Sequence, residues 1–210
     1  MKKKILIIAA HPDDEILGCG GTIIKFSKQH YPVSILYLSS GDSNENIREK
    51  EALRVCKALG IKYYHFLRLK DKKFIVNSKN IEKIMEIITT VQPHYVFINH
   101  ELDGDLEHKI AYNLVAEAFW RYNLLSRRSN PPINGLILYE IHKPLSEYNL
   151  IEDITNEMEA KMKIMSYYKS QLERFRIDFA IQALNKYRGM MQEGIEFAEV
   201  FKIKKMNMLP

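Results

Sequence analysis

The chain has 210 residues, of which 46% are hydrophobic and 27% charged, and its net charge is +5. These values are typical of one globular domain over residues 1–210 and exclude an intrinsically disordered chain. Apolar runs such as residues 5–10 are too short to span a bilayer, and two cysteines make no disulfide framework. The mild basic excess forms no stripe with interleaved aromatic residues. We therefore expect a cytoplasmic protein that binds a small molecule rather than nucleic acid.

The predicted elements alternate between strand and helix along the chain. Apolar, β-rich runs predict five strands, at residues 5–10, 33–38, 63–67, 94–99 and 136–141. Amphipathic segments predict helices at residues 18–30, 45–59, 79–91 and 110–124. Residues 151–187 are predicted to be mostly helical, with Gly189 and Gly194 ending the helical region before a short tail.

This alternation predicts an α/β fold, a Rossmann-like, doubly wound, mostly parallel sheet in a single domain. In such sheets the ligand binds beyond the carboxyl ends of the strands. The rule selects three loops as candidate sites, at residues 11–17, 39–48 and 99–108.

The first and third of these loops are rich in side chains that bind metal ions. Pro12 stiffens the first loop, so that His11 and Asp14 can converge on one cation. The third loop carries five further candidates, His100, Asp103, Asp105, Glu107 and His108. Two histidines and one carboxylate leave a fourth position open for water, which is the pattern of a catalytic rather than a structural zinc. The same donor set also accepts iron.

Several motifs of this chain are similar to those of a known family. The string Ala10-His11-Pro12-Asp13-Asp14-Glu15, followed by Leu17-Gly18-Cys19-Gly20-Gly21-Thr22, resembles the signature of the PIG-L/LmbE-like family of metal-dependent N-deacetylases. Weaker similarities continue along the chain, at Gly41 with residues 48–51, at residues 67–71, at residues 103–108, at Gln171 and at residues 198–201.

The resemblance implies a function and a set of site residues. His11, Asp14 and His108 would bind Zn²⁺, or alternatively Fe²⁺, and Asp13 would be the general base. The substrate would be an N-acetylglucosamine-type amino sugar or glycoconjugate that loses its acetyl group to a metal-activated water. Arg48 would lie near the substrate and Asp71 would contact a sugar hydroxyl. A homo-oligomer is compatible with the family.

One motif departs from the family pattern, which reads Asp-x-His-x-Asp-His where this chain has residues 103–108. Asp105 stands where a family histidine helps to stabilise the oxyanion, which an ionised carboxylate cannot do. Another group substitutes, or Asp105 is protonated, or the substrate differs, or the chain binds metal without turnover. Glu107 replaces the family aspartate and could still orient a ligand histidine, as Asp103 could.

Two further functions remain open from the sequence. The chain could hydrolyse a non-sugar amide, such as a thiol conjugate or an antibiotic intermediate. The Gly-rich turn at Gly18, Gly20 and Gly21 could instead belong to a nucleotide-binding regulatory module, although no acidic residue follows the second strand in the ribose-binding pattern. We expect these glycines to permit close helix packing rather than phosphate binding. Glu15 would favour the helix dipole or fix a ligand.

Overall fold

A computed structural model describes residues 2–41, 45–71, 73, 75–126 and 131–206 of the chain. Residues 42–44 of the second candidate loop lie outside this part. One sheet contains the strands β1 (Ile5–Ala9), β2 (Val33–Tyr37), β3 (Tyr63–Phe66), β4 (Tyr95–Asn99), β5 (Gly135–Tyr139), β6 (Leu150–Asp153) and β7 (Ala198–Met206). Their order is β3-β2-β1-β4-β5-β7-β6, and β7 runs antiparallel to both of its neighbours while the other pairs are parallel. The predicted α/β fold with a mostly parallel sheet is confirmed.

The prediction for the last third of the chain was partly wrong. β6 begins the segment predicted to be mostly helical, and β7 occupies the predicted tail. Neither strand has a long apolar run, and each forms because it pairs with the other, with Ile151 opposite Val200. The last helix ends at Met190, one residue after Gly189, close to the predicted end of the helical region. The backbone of Glu196 lies against Gly189 so closely that an added Cβ would approach the Glu196 carbonyl carbon to 2.5 Å.

The helices lie on both faces of the sheet. They are α1 (Asp14–Lys28), α2 (Glu45–Ala58), α3 (Ser78–Val91), α4 (Leu106–Leu124), α5 (Met158–Met165), α6 (Lys169–Leu172) and α7 (Ile177–Met190). Side chains of β1 alternate between the two cores, because Ile5 and Ile7 pack with residues of α1 and α2 while Leu6 and Ile8 pack with residues of α3 and α4. Burial on both faces explains the continuous apolar run of β1. None of these helices has the length and apolar character needed to cross a bilayer.

Two helices begin earlier than predicted, and both beginnings lie in the candidate loops. α1 begins at Asp14 rather than at residue 18, and α4 begins at Leu106 rather than at residue 110. Asp14, Glu15 and Glu107, which the sequence places in loops, therefore lie in the first turns of helices. Negative side chains in a first turn interact favourably with the helix dipole.

The Gly-rich segment of α1 serves packing, as predicted. A Cβ on Gly18 would lie 2.2 Å from a ring carbon of Tyr139, which is fully buried in β5. The Tyr139 hydroxyl donates a hydrogen bond of 2.7 Å to the carbonyl oxygen of Ile8. The absence of a side chain at residue 18 thus lets α1 lie directly on the sheet, beside the end of β1.

Candidate active site

The candidate site lies where the strand order reverses, at the carboxyl ends of β1 and β4. These two strands are neighbours, although α1, α2 and α3 separate them in sequence. A cavity of about 350 Å³ opens there. The first turns of α1 and α4, the helices α2 and α6, the loops after β1, β3, β4 and β5 and the segment from α6 to α7 line it. The lining residues are His11, Asp13, Asp14, Leu17, Arg48, Asp71, Asp105, Glu107, His108, His142, Gln171, Arg174, Phe175 and Ile177. The position agrees with the general rule for α/β sheets.

The structure brings together the three predicted metal ligands. One ligand atom from each of His11, Asp14 and His108 lies within 4.8 Å of the others, and all three residues are buried. Asp14 Oδ2 is 3.3 Å from His108 Nε2 and 3.8 Å from His11 Nδ1. Asp14 Oδ2 also accepts a hydrogen bond of 2.8 Å from the backbone N–H of His11, which fixes the turn. Two imidazole nitrogens and one carboxylate oxygen suit a zinc ion with an open coordination position.

Carboxylates hold the other nitrogen of each of these histidines. His11 Nε2 lies 3.1 Å from Asp71 Oδ1 and 3.2 Å from Glu107 Oε2. His108 Nδ1 lies 3.0 Å from Asp103 Oδ1. A carboxylate behind a metal-ligating histidine fixes its tautomer and raises its basicity, and this arrangement is common in zinc proteins. The donor set and its surroundings therefore fit a divalent metal ion.

Opposite charges of the histidines and carboxylates in the cluster shift each other's pKa values. Burial opposes the charged form of His11, but hydrogen bonds to Asp71 and Glu107 raise its pKa to about 9. Burial likewise opposes the charge of Asp14, yet the neighbouring His108 lowers the pKa of this carboxyl to about 2. The carboxylates thus favour positive charge on the imidazoles, at the point where a cation would bind.

Asp13, the predicted general base, lies next to these ligands in an unusual backbone conformation. Its φ is 119°, in a region that L residues rarely adopt. An Arg48 Nη2 donates to Asp13 Oδ1 at 3.3 Å and to the Pro12 carbonyl at 2.9 Å. Burial raises the pKa of Asp13 to about 6, although the Arg48 charge opposes the shift. The carboxylate is therefore held beside the cluster with a basicity suited to proton transfer near neutral pH.

Asp105 caps the helix that carries two site residues. Its Oδ1 accepts hydrogen bonds from the backbone N–H groups of Glu107, at 2.6 Å, and His108, at 3.3 Å. Its own N–H donates to Asp103 Oδ1 at 3.1 Å. Side-chain acceptors at this position are a common way to begin a helix. The Asp105 carboxylate therefore fixes the start of α4.

His142 enters the site from the loop after β5. Its Nδ1 lies 3.2 Å from Asp103 Oδ1, and its ring centroid is 4.9 Å from that of His108. The side chain is 40% exposed and lines the cavity. His100, the other candidate of the third loop, has both ring nitrogens bonded to backbone groups of Leu102 and Lys143 and holds the loop together.

One wall of the cavity comes from residues without a clear sequence signal. Arg174 and Phe175 follow α6, are exposed and line the cavity. Only Gln171, in the same wall, belonged to a motif of the sequence. The wall is assembled by tertiary packing of α6, whose residue Ser170 donates its hydroxyl to the Glu51 carboxylate at 2.6 Å.

A comparison with family models identifies the protein class. The model described as PIG-L, GlcNAc-PI de-N-acetylase, matches residues 6–119, which include every residue of the metal-ligand cluster. The chain belongs to the PIG-L family. Members of this deacetylase family include metal-dependent enzymes.

Three relatives of this PIG-L protein are named as deacetylases. The diacetylchitobiose deacetylase of Thermococcus kodakarensis is 28% identical over 191 residues, which cover 80% of this chain and 70% of the relative. A probable N-acetyl-alpha-D-glucosaminyl L-malate deacetylase 2 of Bacillus cereus is 25% identical and covers 89% of this chain and 91% of its own length. The solved N,N'-diacetylchitobiose deacetylase of Pyrococcus horikoshii superposes with a TM-score of 0.82 at 25% identity, covering 97% of this chain and 84% of that chain.

Proposed function

We propose that this PIG-L protein is a zinc-dependent deacetylase of N-acetylglucosamine-type conjugates. The observation that carries the proposal is the cluster of His11, Asp14 and His108, in which carboxylates hold the outer nitrogens of both histidines. A bound zinc ion would supply Lewis acidity, lowering the pKa of a water molecule and polarising the amide carbonyl. Iron(II) would fit the same donors.

Asp13 performs the proton transfers in this proposal. Its carboxylate takes a proton from the attacking water and then returns it to the amine that leaves. Acetate and a free amino sugar are the products. The contact with Arg48 Nη2 keeps Asp13 Oδ1 in place. Arg48 also lines the cavity, so its guanidinium can donate to a substrate hydroxyl or phosphate oxygen there.

His142 replaces the family histidine in stabilising the oxyanion. Asp105 cannot act in that role while its Oδ1 caps α4. Hydrogen bonding to Asp103 raises the pKa of His142 and orients its ring in the cavity, beside His108. A protonated imidazole there supplies an N–H for the negative oxygen that forms when the amide carbonyl is attacked.

The group attached to the sugar would lie against Arg174 and Phe175. Two relatives are named for substrates that differ in this group, a second amino sugar in one and malate in the other. The Phe175 ring offers a surface for a sugar ring, whereas the Arg174 guanidinium offers a partner for a carboxylate. Arg174→Gln should lower kcat/KM for the malate conjugate and leave kcat/KM for diacetylchitobiose unchanged.

The proposal is tested by loading the protein with zinc and measuring free amine released from four substrates. These are N-acetylglucosaminyl malate, diacetylchitobiose, an N-acetylated thiol without a sugar and an N-acylated antibiotic intermediate without a sugar. Release of amine from either sugar substrate, lost in Asp13→Asn with the metal retained, supports the proposal. Activity on the non-sugar amides alone would move the function to that class. Stabilisation by nucleotides without any hydrolysis would contradict a deacetylase role.

A further inference from the structure

A buried carboxylate directly behind the site has no role in the chemistry above. Glu15 belongs to the first turn of α1, has 0% of its surface exposed and does not line the cavity. Its Oε1 accepts hydrogen bonds from the hydroxyls of Tyr37, at 3.2 Å, and Tyr168. Its Oε2 accepts a hydrogen bond of 3.1 Å from the backbone N–H of Asp13. Both oxygens are therefore used inside the protein, and neither is available to a metal or a substrate.

The bond to Asp13 coincides with the strained backbone of that residue. A φ of 119° is strained in a residue with a Cβ and persists only where the surroundings enforce it. The Asp13 N–H precedes the first turn of α1, so no helical carbonyl accepts it. Glu15 supplies that acceptor from inside the protein, while Arg48 holds the Asp13 carboxylate from the cavity side. Glu15 therefore restrains the backbone of Asp13, and Arg48 restrains its side chain.

The two tyrosines make Glu15 a fixed point rather than a mobile side chain. Tyr37 is at the end of β2 and Tyr168 lies just before α6, so the carboxylate joins the sheet to the C-terminal helices. Both rings are fully buried. An acceptor fixed from two distant parts of the fold can hold a neighbouring backbone conformation that a flexible acceptor would release.

We propose that Glu15 is a positioning residue that holds the backbone of Asp13 in its strained conformation and so places the general base beside the metal ligands. The inference rests on the proposed role of Asp13. It assigns no proton transfer to Glu15 itself. The chemistry needs an acceptor at this position, not a negative charge, so an uncharged isostere with a carbonyl oxygen should serve.

The test compares Glu15→Gln with Glu15→Leu in the zinc-loaded full chain. Glu15→Leu removes the acceptor, and misplacing a catalytic group by about 1 Å costs up to about 100-fold in rate, so kcat should fall 10- to 100-fold with KM and zinc content unchanged. Glu15→Gln keeps an acceptor and should restore most of kcat. Amide hydrogen exchange of Asp13, measured by NMR, should be fast in Glu15→Leu and slow in the wild type and Glu15→Gln. This second readout does not depend on a deacetylase activity.

Two further variants keep the test decisive. If Glu15→Leu does not fold, Tyr37→Phe/Tyr168→Phe leaves the acceptor in place without its anchors and should lower kcat without changing KM. Glu157→Gln is the matched control, since Glu157 is also a buried carboxylate, accepts a hydrogen bond of 2.7 Å from Lys28 Nζ and does not line the cavity. It should leave kcat and Asp13 exchange unchanged. An unchanged kcat and slow Asp13 exchange in Glu15→Leu would overturn the inference. An inactive wild type with slow Asp13 exchange, made fast by Glu15→Leu, would instead refute the deacetylase proposal alone.

Discussion

The metal-free protein should lose stability as the pH rises from 6.5 to 9, because His11 carries a proton where the metal would bind. Burial opposes this charge, but the hydrogen bonds to Asp71 and Glu107 raise the pKa of His11 from 6.5 to about 9. A group whose pKa is raised by folding stabilises the fold fully below its unfolded pKa. That stabilisation is lost as the pH rises through the folded pKa.

The size of the effect follows from the two pKa values of His11. The difference between 6.5 and about 9, at about 1.4 kcal/mol for each pH unit, amounts to about 3 kcal/mol of unfolding free energy. His108 adds to the effect in the same direction, since Asp14 and Asp103 raise its pKa despite its burial. Bound zinc should reduce the dependence, because the metal takes the place of the protons on the two histidines. A smaller loss should remain below pH 8 with zinc bound, since burial raises the pKa of Glu15 to about 8 and this carboxyl is not a ligand.

Urea unfolding followed by circular dichroism, with a chelator or with zinc, measures this effect across the same pH range. The chelated wild type should lose unfolding free energy towards high pH, and His11→Asn should lose much less. His30→Asn is the control, since His30 is exposed at the end of α1 and should keep the wild-type slope. A flat profile in the chelated wild type, or an equal slope in zinc, would refute the reasoning about the cluster.

Three further predictions concern the residues around the ligands. Asp103→Asn should weaken zinc binding about 10- to 100-fold, because it removes the carboxylate behind His108, and an unchanged affinity would show that this contact does not support the metal. Asp105→Ala should lower the unfolding free energy by about 1 kcal/mol while Asp105→Asn keeps it, and equal losses in denaturant titrations would contradict the capping role. Gly18→Ala should lower Tm clearly, since its Cβ would lie 2.2 Å from the Tyr139 ring, and an unchanged Tm would contradict the close packing of α1.

The sequence predicted the central part of the fold and missed its C-terminal edge. β1, β2 and β4 carry long apolar runs because they are buried between two layers of helices, and such runs are visible without any structure. β6 and β7 form through pairing between segments about 50 residues apart, as in the pair Leu150 and Phe201. Local sequence patterns carry no information about this long-range pairing, so the sequence predicts helix where β6 forms.

The site also has features that local sequence patterns predict and features that depend on tertiary structure. His11 and Asp14 stand three residues apart in one turn, so the local string suggested that they converge. His108 joins them because β1 and β4 are adjacent in the sheet, which the strand pattern only implied. The contacts of Asp71 and Glu107 with His11 depend on the relative positions of β3 and α4, and a single sequence does not give these. The role of Asp105 was hidden because the start of α4 was placed four residues too late.

Metal content of the purified protein tests the central claim most directly, with wild type compared with His11→Ala and His108→Ala. The account predicts about one zinc or iron per chain in the wild type and its loss in both variants, since each removes one of the three proposed protein ligands. Asp13→Asn should retain the metal, because its carboxylate is assigned to proton transfer. A metal-free wild type that also fails to bind added zinc would contradict the account.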